Sequence, residues 1–548
     1  EELWVSDGTT TGTRKLTNFA PPKVFYYLDE IDFRDPLYLP DAATGSRMVF
    51  ALDDGEHGIE PWVTDGTPQG TRLLRDLCPG SCDSEVWGFH LLGSRLIFTA
   101  STPTQGNEPW STDGTPAGTR LLRDVCAGNC SSVPFGLREL GNGRLFGAAD
   151  AERNYQLWKT NGTFRGTTRI TSFQPDSAIL YRMGSPVRGA VLFAARTPRE
   201  GVELWRTDGT AAGTYLLRDV WDHDLGGSRP HSFQQVGNRH FYIADDSVHG
   251  ESIWTSDGTA SGTSLAAAFA PDDPQQTSYE WVKAAAGGRY FVLRNANGGP
   301  ELWSSDGTEA GTRRLTQPGL HMYSLRLVST GSRVAVVATQ DLEETSWSRL
   351  WTSDGTENGT RTLDLPEGHV GELAAFQGRF VFTLSRDLWI SDGTRSDRLT
   401  TVPPEVFPNA SLKFLGEHGG RFWYQDADPD TDYQTQVLWS TDGTAAGTRA
   451  HADFPLGTRS APVETLISAG PRMFLIVAAA SEENRGLWVS DGSAAGTRKL
   501  SSVSMPGASF AGSFTVLNGR IFFGASSEET SPSEALWMSD GTAAGTGP

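Results

Sequence analysis

The sequence predicts an all-β fold, a β-propeller built from four-stranded antiparallel blades. Two observations predict it. First, a motif of Trp, two residues and Asp-Gly-Thr, usually followed by two residues and Gly-Thr, recurs twelve times with small variations in 548 residues. Second, the intervals between copies hold short apolar runs bounded by Gly, Pro, Asp or Ser, as expected of strands. Short strands repeated at a fixed period are typical of a propeller.

The motif copies divide the chain into repeats of about 48 residues. Nine of the eleven intervals are 47 to 50 residues long, and the other two are 58 and 38. The copies begin at Trp4, Trp62, Trp110, Trp158, Trp205, Trp254, Trp303, Trp351, Trp389, Trp439, Trp488 and Trp537. We interpret these tryptophans as structural residues that pack between blades, with each indole N–H donating to a backbone acceptor.

The repeat at 84–125 shows the elements in order. EVWGFHLLG predicts strand a, RLIFTAS strand b, EPWSTDG strand c and TRLLRDV strand d. In an antiparallel meander the a-to-b and c-to-d turns lie at one end of each blade, and the b-to-c and d-to-a connections lie at the other. We call these the motif end and the connection end.

Asp-Gly favours a tight turn, because glycine accepts positive φ and the aspartate side chain bonds its own turn. The fourth copy has Asn161 at the aspartate position, and the ninth copy lacks the second Gly-Thr. A turn tolerates both changes, whereas a shared ion site would not. The motif aspartates are therefore interpreted as turn residues.

With its ELWxSDGTxxGT repeats, the chain resembles the propeller-like repeat proteins that are predicted to be secreted by bacteria. Its strand order is also similar to that of WD40 blades. The resemblance covers essentially the whole chain. It implies a fold and no assigned activity.

We predict one propeller domain over residues 1–548, a single large ring of 11 or 12 blades, with two smaller propellers as the alternative. The chain opens on a c strand and a d strand and closes on a c strand with no d strand visible after it. The first d strand is therefore expected to complete the last blade, so that the termini meet in ring closure.

Composition excludes some partners. The formal net charge is −20, and only six of the 46 basic residues are lysines, which argues against nucleic acid. No stretch approaches the roughly 20 apolar residues of a membrane span.

The four cysteines lie one repeat apart in two close pairs, Cys78 with Cys82 and Cys126 with Cys130. Two local disulfides indicate an oxidising compartment, extracellular or periplasmic. The alternative is one zinc site built from all four thiolates, although the CxxxC spacing is loose for zinc.

The long first interval contains an aromatic and acidic insertion at 21–40. Exposed aromatic residues favour a partner surface, whereas the alternative is that the insertion packs on a neighbouring blade. The candidate binding residues are Phe25, Tyr26, Tyr27, Phe33 and Tyr38.

A second departure from the repeat is DADPDTD in a b-to-c connection. Its alternating acids, Asp426, Asp428, Asp430 and Asp432, are candidate calcium ligands, and a solvated acidic loop is the alternative. No other cofactor is predicted.

No linear catalytic motif is present, including HExxH, GxSxG and the Walker A loop. We therefore expect a non-catalytic secreted or periplasmic binding or scaffold protein that takes a protein or glycan at the connection end. One alternative is a hydrolase or lyase acting on polysaccharide at an axial active site. Another is a structural subunit of a larger extracellular assembly.

Overall fold

The structure is a computed structural model. It describes residues 4–5, 14–17, 43–44, 47–175, 177–221, 226–269, 282–296, 299–315, 326–342, 345–401, 411–427, 437–451, 463–477, 484–502, 514–517, 519–525 and 535–547. These residues form strands, turns and connections without a helix. Accordingly, no helix that could span a membrane occurs in the described part of the chain.

The strands confirm the predicted fold class. The described residues contain eleven four-stranded antiparallel sheets and one two-stranded sheet. In every four-stranded sheet the strands neighbour one another in chain order, as in propeller blades. We number these sheets 1 to 11 along the chain and keep the letters a to d for their strands.

The two-stranded sheet comes first, followed by sheets 1 to 3. The two-stranded sheet is β1 (Trp4–Val5) and β2 (Arg14–Lys15). Sheet 1 is β3 (Ala43–Thr44), β4 (Arg47–Asp53), β5 (Ile59–Thr64) and β6 (Arg72–Leu73). Sheet 2 is β7 (Trp87–Leu92), β8 (Arg95–Thr102), β9 (Gly106–Thr112) and β10 (Arg120–Leu121). Sheet 3 is β11 (Phe135–Leu140), β12 (Gly143–Ala149), β13 (Tyr155–Thr160) and β14 (Thr168–Arg169).

Sheets 4 to 7 repeat the arrangement. Sheet 4 is β15 (Ala178–Met183), β16 (Val191–Thr197), β17 (Gly201–Thr207) and β18 (Tyr215–Arg218). Sheet 5 is β19 (His231–Val236), β20 (Arg239–Asp245), β21 (Glu251–Ser256) and β22 (Ser264–Ala267). Sheet 6 is β23 (Val282–Ala286), β24 (Arg289–Ala296), β25 (Gly299–Ser305) and β26 (Arg313–Arg314). Sheet 7 is β27 (Arg326–Ser329), β28 (Val334–Leu342), β29 (Thr345–Ser353) and β30 (Arg361–Thr362).

Sheets 8 to 11 complete the described strands. Sheet 8 is β31 (Val370–Phe376), β32 (Arg379–Leu384), β33 (Asp387–Ser391) and β34 (Ser396–Thr401). Sheet 9 is β35 (Ser411–His418), β36 (Arg421–Ala427), β37 (Leu438–Thr441) and β38 (Arg449–Ala450). Sheet 10 is β39 (Val463–Ala469), β40 (Arg472–Val477), β41 (Gly486–Ser490) and β42 (Arg498–Ser501). Sheet 11 is β43 (Thr515–Leu517), β44 (Arg520–Ala525), β45 (Ala535–Ser539) and β46 (Thr546–Gly547).

The chain divides into two compact units. The first comprises Glu1–Val5, Arg14–Thr277 and Ser305–Arg313 and holds sheets 1 to 5. The second comprises Ser6–Thr13, Ser278–Ser304 and Arg314–Pro548 and holds sheets 7 to 11. The number of rings and the meeting of the termini stay predictions.

The motif builds the c-to-d turn through side-chain hydrogen bonds. In sheet 1, Asp65 Oδ1 accepts the backbone N–H and the hydroxyl of Thr67, at 2.9 and 2.6 Å. Thr67 Oγ1 in turn accepts the N–H of Gly70 at 2.9 Å, and the hydroxyls of Thr64 and Thr71 meet at 2.7 Å. The Thr67 hydroxyl lowers the pKa of Asp65. The aspartate is therefore a turn residue, as interpreted from the sequence.

The two glycines of the motif serve different purposes. The first, Gly66 in sheet 1, has φ +82° and so occupies the left-handed region. The second, Gly70, has no such φ, but a Cβ there would overlap the carboxylate of Asp65. The fourth copy is the same, because a Cβ on Gly166 would overlap the side chain of Asn161. The first position therefore requires glycine for its positive φ, and the second requires it because a Cβ would overlap the side chain at the aspartate position.

An arginine at the start of strand b is a second repeated element, which the sequence reasoning missed. In sheet 7, Arg333 donates to the carbonyl of Gly359 at 2.7 Å and lies 3.4 Å from the Asp354 carboxylate. A Cβ on Gly393, in the turn of sheet 8, would meet the Arg333 side chain at 2.6 Å. The arginine therefore joins its own turn to that of the next sheet. Arginine recurs at this position in nine of the eleven sheets.

The core lies between consecutive sheets. One buried cluster joins Leu192, Leu204 and Leu217 of sheet 4 to Tyr242 and Trp254 of sheet 5. The Arg218 guanidinium lies 5.3 Å from the centre of the Trp254 ring. The prediction that the motif tryptophans pack between blades is confirmed at this interface.

The predicted backbone acceptor for the indole N–H is found at Trp488, which donates to the Asn484 carbonyl at 2.9 Å. Trp303 donates instead to the Glu301 carboxylate at 3.0 Å. For seven copies the predicted acceptor is not found among the described residues, where the buried indole N–H has no hydrogen-bond partner. These copies are Trp110, Trp158, Trp205, Trp254, Trp351, Trp389 and Trp537.

The expectation that the last copy lacks a d strand is wrong. Thr546 and Gly547 form β46 and pair with β45, because the Ser539 and Thr546 hydroxyls meet at 2.7 Å across the turn. The first d strand, β2, pairs with β1 of its own copy.

Candidate functional site

The two cysteine pairs lie at the connection end of sheet 2. Cys78 is bonded to Cys82 in the segment that precedes β7, and Cys126 to Cys130 in the segment that follows β10. The Cα atoms are 5.3 Å apart in each pair. The predicted pairs are confirmed, and the alternative of one zinc site from four thiolates does not form. Pro79–Asp83 and Ala127–Asn129 are exposed, so both loops present backbone to solvent.

The backbone at the start of each disulfide loop is hydrogen-bonded to a buried glutamate. Glu108, on strand c of sheet 2, accepts the N–H groups of Val125 and Cys126 at 2.9 and 3.1 Å and the hydroxyl of Ser132 at 2.7 Å. Glu60 of sheet 1 accepts the N–H groups of Leu77 and Cys78, both at 2.9 Å. These carboxylates fix the path of the chain between sheets, because they satisfy backbone donors that are otherwise buried.

Burial raises the pKa of Glu60 and of Glu108 to about 7, and the backbone N–H bonds act in the opposite direction. A shift of this kind also occurs in catalytic acids and bases. Both side chains are completely buried, however, and their oxygens are engaged by the backbone. We therefore assign them a positioning role.

The same clamp exists where there is no disulfide. Glu203 of sheet 4 accepts the Ser228 N–H at 2.8 Å and the Ser228 hydroxyl at 2.7 Å. In sheet 3 the position is Gln156, whose Oε1 accepts the Phe173 N–H and whose Nε2 donates to the Phe173 carbonyl. Sequence reasoning missed this element. Its signal was a Glu or Gln two residues before the motif Trp.

Trp87 is an exposed aromatic side chain at the same end of sheet 2 as both loops. It begins β7, pairs with Thr99 in β8, and is 41% exposed. The equivalent Phe135 of sheet 3 pairs with Gly147 and is 5% exposed. A Cβ on Gly147 would meet the Phe135 ring at 2.5 Å. Because Gly147 has no side chain, the Phe135 ring can lie over strand b. The Thr99 side chain occupies the equivalent space in sheet 2, so the Trp87 ring stays exposed.

Three equivalent residues beside strand a have left-handed backbones without being glycine. They are Glu85, Val133 and Arg229, with φ of 47°, 43° and 49°. All three are exposed, and each follows a buried serine. Strain of this kind persists only where the surroundings enforce it and is often found at functional sites.

Most sequence-predicted site residues lie outside the described part of the chain. Phe25, Tyr26, Tyr27, Phe33 and Tyr38 belong to this group, as does the insertion at 21–40. Their role in binding stays a prediction.

Of the predicted calcium ligands, Asp428, Asp430 and Asp432 also lie outside the described residues. Asp426 is the last residue but one of strand b of sheet 9, is 2% exposed, and accepts the N–H of Val437. Burial raises the pKa of Asp426 to about 6. The structure thus shows Asp426 bound to the backbone of the following strand, and the calcium site stays a prediction. Among the described side chains no group of three or more His, Cys, Asp and Glu could hold a metal ion.

Comparison with family models finds no match, and comparison with curated proteins finds none. Solved structures with similar architecture include the β-propeller domain of the Trilobed protease from Pyrococcus furiosus, which is 12% identical with a TM-score of 0.25. That match covers 58% of this chain and 94% of the domain.

The tricorn protease is 13% identical with a TM-score of 0.22, over 83% of this chain and 43% of that protein. The GH74 enzyme of Niastella koreensis is 12% identical with a TM-score of 0.26, over 93% of this chain and 76% of the enzyme. The chain thus spans less than half of the tricorn protease. These scores are too low to support a functional argument, and the fold class rests on the sheets themselves.

Proposed function

We propose that this protein is an extracellular or periplasmic β-propeller that binds a macromolecular partner, a protein or a glycan, at the connection end of sheet 2. One observation carries the proposal. The exposed Trp87 stands at the end of a sheet whose two adjoining connections are both closed by disulfides.

The surroundings of Trp87 are prearranged for binding. Disulfides and buried carboxylates hold the two loops before any partner arrives, which reduces the conformational entropy lost on association. Tryptophan is among the residues that contribute most to binding energy at interfaces. A rigid loop pair with one exposed indole therefore suits a binding surface.

The disulfides also support the proposed location, since such bonds persist in oxidising compartments. The net charge of −20 disfavours anionic partners such as nucleic acid.

Binding can be tested with Trp87→Ala, measured against a panel of immobilised polysaccharides and a panel of purified extracellular proteins. We expect Trp87→Ala to weaken binding to the recognised class by roughly 30-fold, as expected for the loss of an aromatic hot spot. The panel that responds identifies the class of partner.

The matched control is Phe164→Ala. Phe164 is 57% exposed and lies in the motif-end turn of sheet 3. If Phe164→Ala loses binding and Trp87→Ala keeps it, the partner binds at the motif end and the proposal is refuted. No binding by the unaltered protein to either panel would also refute it.

A further inference from the structure

Three side chains at the connection end of sheet 5 form a hydrogen-bonded chain. The Ser232 hydroxyl lies 3.0 Å from His231 Nδ1, and His231 Nε2 lies 3.0 Å from Glu251 Oε1. His231 is the first residue of strand a and Glu251 the first of strand c. The side chains of His231 and Glu251 are 15% and 35% exposed. The group is therefore ordered by the sheet yet open to solvent.

A bulge in strand a places the serine beside the histidine. Ser232 and the next residue lie between the ladder pairs formed by His231 and Gln234 with strand b. Ser232 has φ 55°, in the left-handed region. Consecutive residues of a regular strand point to opposite faces, and this bulge instead brings the two side chains together.

The equivalent bulge position in three other sheets is glycine. Sheets 2, 3 and 8 have Gly88, Gly136 and Gly371 there, and the first two have φ of 69° and 67°. Ser232 thus adopts a conformation that the repeat otherwise gives to glycine. Strained backbones that carry a side chain are often found at functional sites.

The hydrogen bonds suit activation of the serine. A neutral imidazole with its proton on Nε2 donates to Glu251 and leaves the Nδ1 lone pair to accept the Ser232 hydroxyl. Glu251 Oε2 is buried and has no hydrogen-bond partner among the described residues. Among the described residues the Glu251 carboxylate therefore meets His231 through Oε1. A nucleophile, a base and a group that orients the base are the parts of a hydrolytic triad.

We propose that Ser232, His231 and Glu251 form a catalytic site that hydrolyses carboxylic esters, an activity beyond the binding function proposed above. Ser232 Oγ attacks the ester carbonyl carbon while its proton passes to His231 Nδ1. The bond to the alkoxy group then breaks, and the leaving oxygen takes that proton to depart as an alcohol. Water attacks the acyl-serine, His231 takes its proton and returns it to Ser232 Oγ, and a carboxylic acid is released.

Acidic and basic groups both lie near these three side chains. Asp245 lies directly opposite Glu251 in the ladder and feels the charge of Arg229. Asp246, in the connection to strand c, pairs with His249 at 2.7 Å. Neither sign of charge stands alone at this end of the sheet, so the test uses a small uncharged ester.

The test uses two probes on the full chain, hydrolysis of p-nitrophenyl acetate and covalent labelling by an alkyl fluorophosphonate. In the labelling reaction the serine oxygen bonds to phosphorus and fluoride leaves. We expect the label on Ser232, located by peptide mass mapping. Ser232→Gly should abolish labelling there and lower hydrolysis by at least about 100-fold.

Ser232→Gly is the informative variant, because glycine is the residue of the equivalent bulges and relieves the left-handed strain. It should fold at least as well as the unaltered chain. His231→Gln and Glu251→Gln should also lower hydrolysis, because they remove the base and the group that orients it.

Two controls match these variants. Ser261→Ala removes an exposed serine from the motif-end turn of the same sheet, and His57→Gln removes a histidine that pairs with Asp54 at 2.7 Å. Both should leave hydrolysis unchanged. Equal rates in the unaltered chain and Ser232→Gly, or a label on another residue, would overturn the proposal. Partner binding is scored separately through Trp87→Ala, so the two proposals fail independently.

Discussion

At the scale of single residues, the repeated motif is explained by turn geometry. Asp113 in sheet 2 accepts the Thr115 N–H at 3.0 Å and the Thr115 hydroxyl at 2.6 Å. Gly118 then passes so close that any Cβ would overlap the Asp113 carboxylate. The sequence showed that glycine recurs at this position, and only the structure shows that clearance, and not φ, requires it.

Gly118→Ala is expected to destabilise the protein by about 1–3 kcal/mol, the usual range for a side chain forced into filled space. In an Asp113→Ala background the added cost should fall below about 0.5 kcal/mol, since the overlapping group is gone. Urea unfolding of the two single variants and the double variant measures this coupling. Pro116→Ala, an exposed change in the same turn, is the control. Additive effects would contradict the clearance explanation.

At the scale of elements, the connections between sheets differ more than the strands do. The connection after sheet 2 is closed by Cys126–Cys130 and held by Glu108, whereas the connection after sheet 4 has no cysteine and is held by Glu203. The clamp is therefore sufficient to guide the chain without a disulfide. The disulfide further restricts the backbone of a loop whose course the glutamate already fixes.

Replacing both Cys126 and Cys130 by serine should cost about 2 kcal/mol, the loop-closure value for a ring this short. Because Glu108 still binds the Cys126 backbone position, the fold should persist and opening should be confined to 122–134. Hydrogen exchange of that segment measures the effect. The loop at 78–82 serves as the internal control, and equal acceleration in both loops would contradict a local role.

At the scale of the whole molecule, two sets of carboxyl groups respond to pH in opposite directions. Hydrogen bonds from turn hydroxyls lower the pKa of motif aspartates, to about 2 for Asp392. Burial raises the pKa of Glu60 and Glu108 to about 7. The first set stabilises the fold above pH 3.8 and loses this effect as pH falls. The second stabilises it below pH 4.5 and loses this effect as pH rises to about 7.

The unfolding free energy should therefore decrease between pH 4.5 and 7 as Glu60 and Glu108 ionise, by up to roughly 3 kcal/mol for each group. The double variant Glu60→Gln, Glu108→Gln should show a flatter profile in that range. Urea unfolding at a series of pH values measures it. Glu309→Gln, an exposed change in the turn of sheet 6, is the control. An unchanged slope in the double variant would show that other groups cause it.

Much of this architecture was predictable. Strand order, the motif turn and the disulfide pairs follow from local spacing, since turn residues and nearby cysteines act over a few positions. The fourth strand of sheet 11 was missed because a two-residue strand at Thr546 has too little sequence to form a pattern. The indole acceptors were mispredicted because an N–H partner depends on the neighbouring sheet.

The candidate sites were less predictable. In the sequence, Trp87 cannot be told from any other apolar residue of strand a. Its exposure depends on Thr99, its partner in strand b. Ser232 and His231 are neighbours in the chain that form no recognisable motif, and Glu251 follows His231 by 20 residues. Their hydrogen bonds exist because a bulge and the pairing of three strands bring them to one end of a sheet.

The sequence by itself determined the repeat, the four strands of each blade, the turn chemistry and the cysteine pairs, because each depends on residues close together in the chain. The tertiary structure decided which carboxylates became buried clamps, which aromatic side chain stayed exposed and which serine met a histidine. These depend on pairing between strands and packing between sheets, and a one-dimensional pattern does not carry that information.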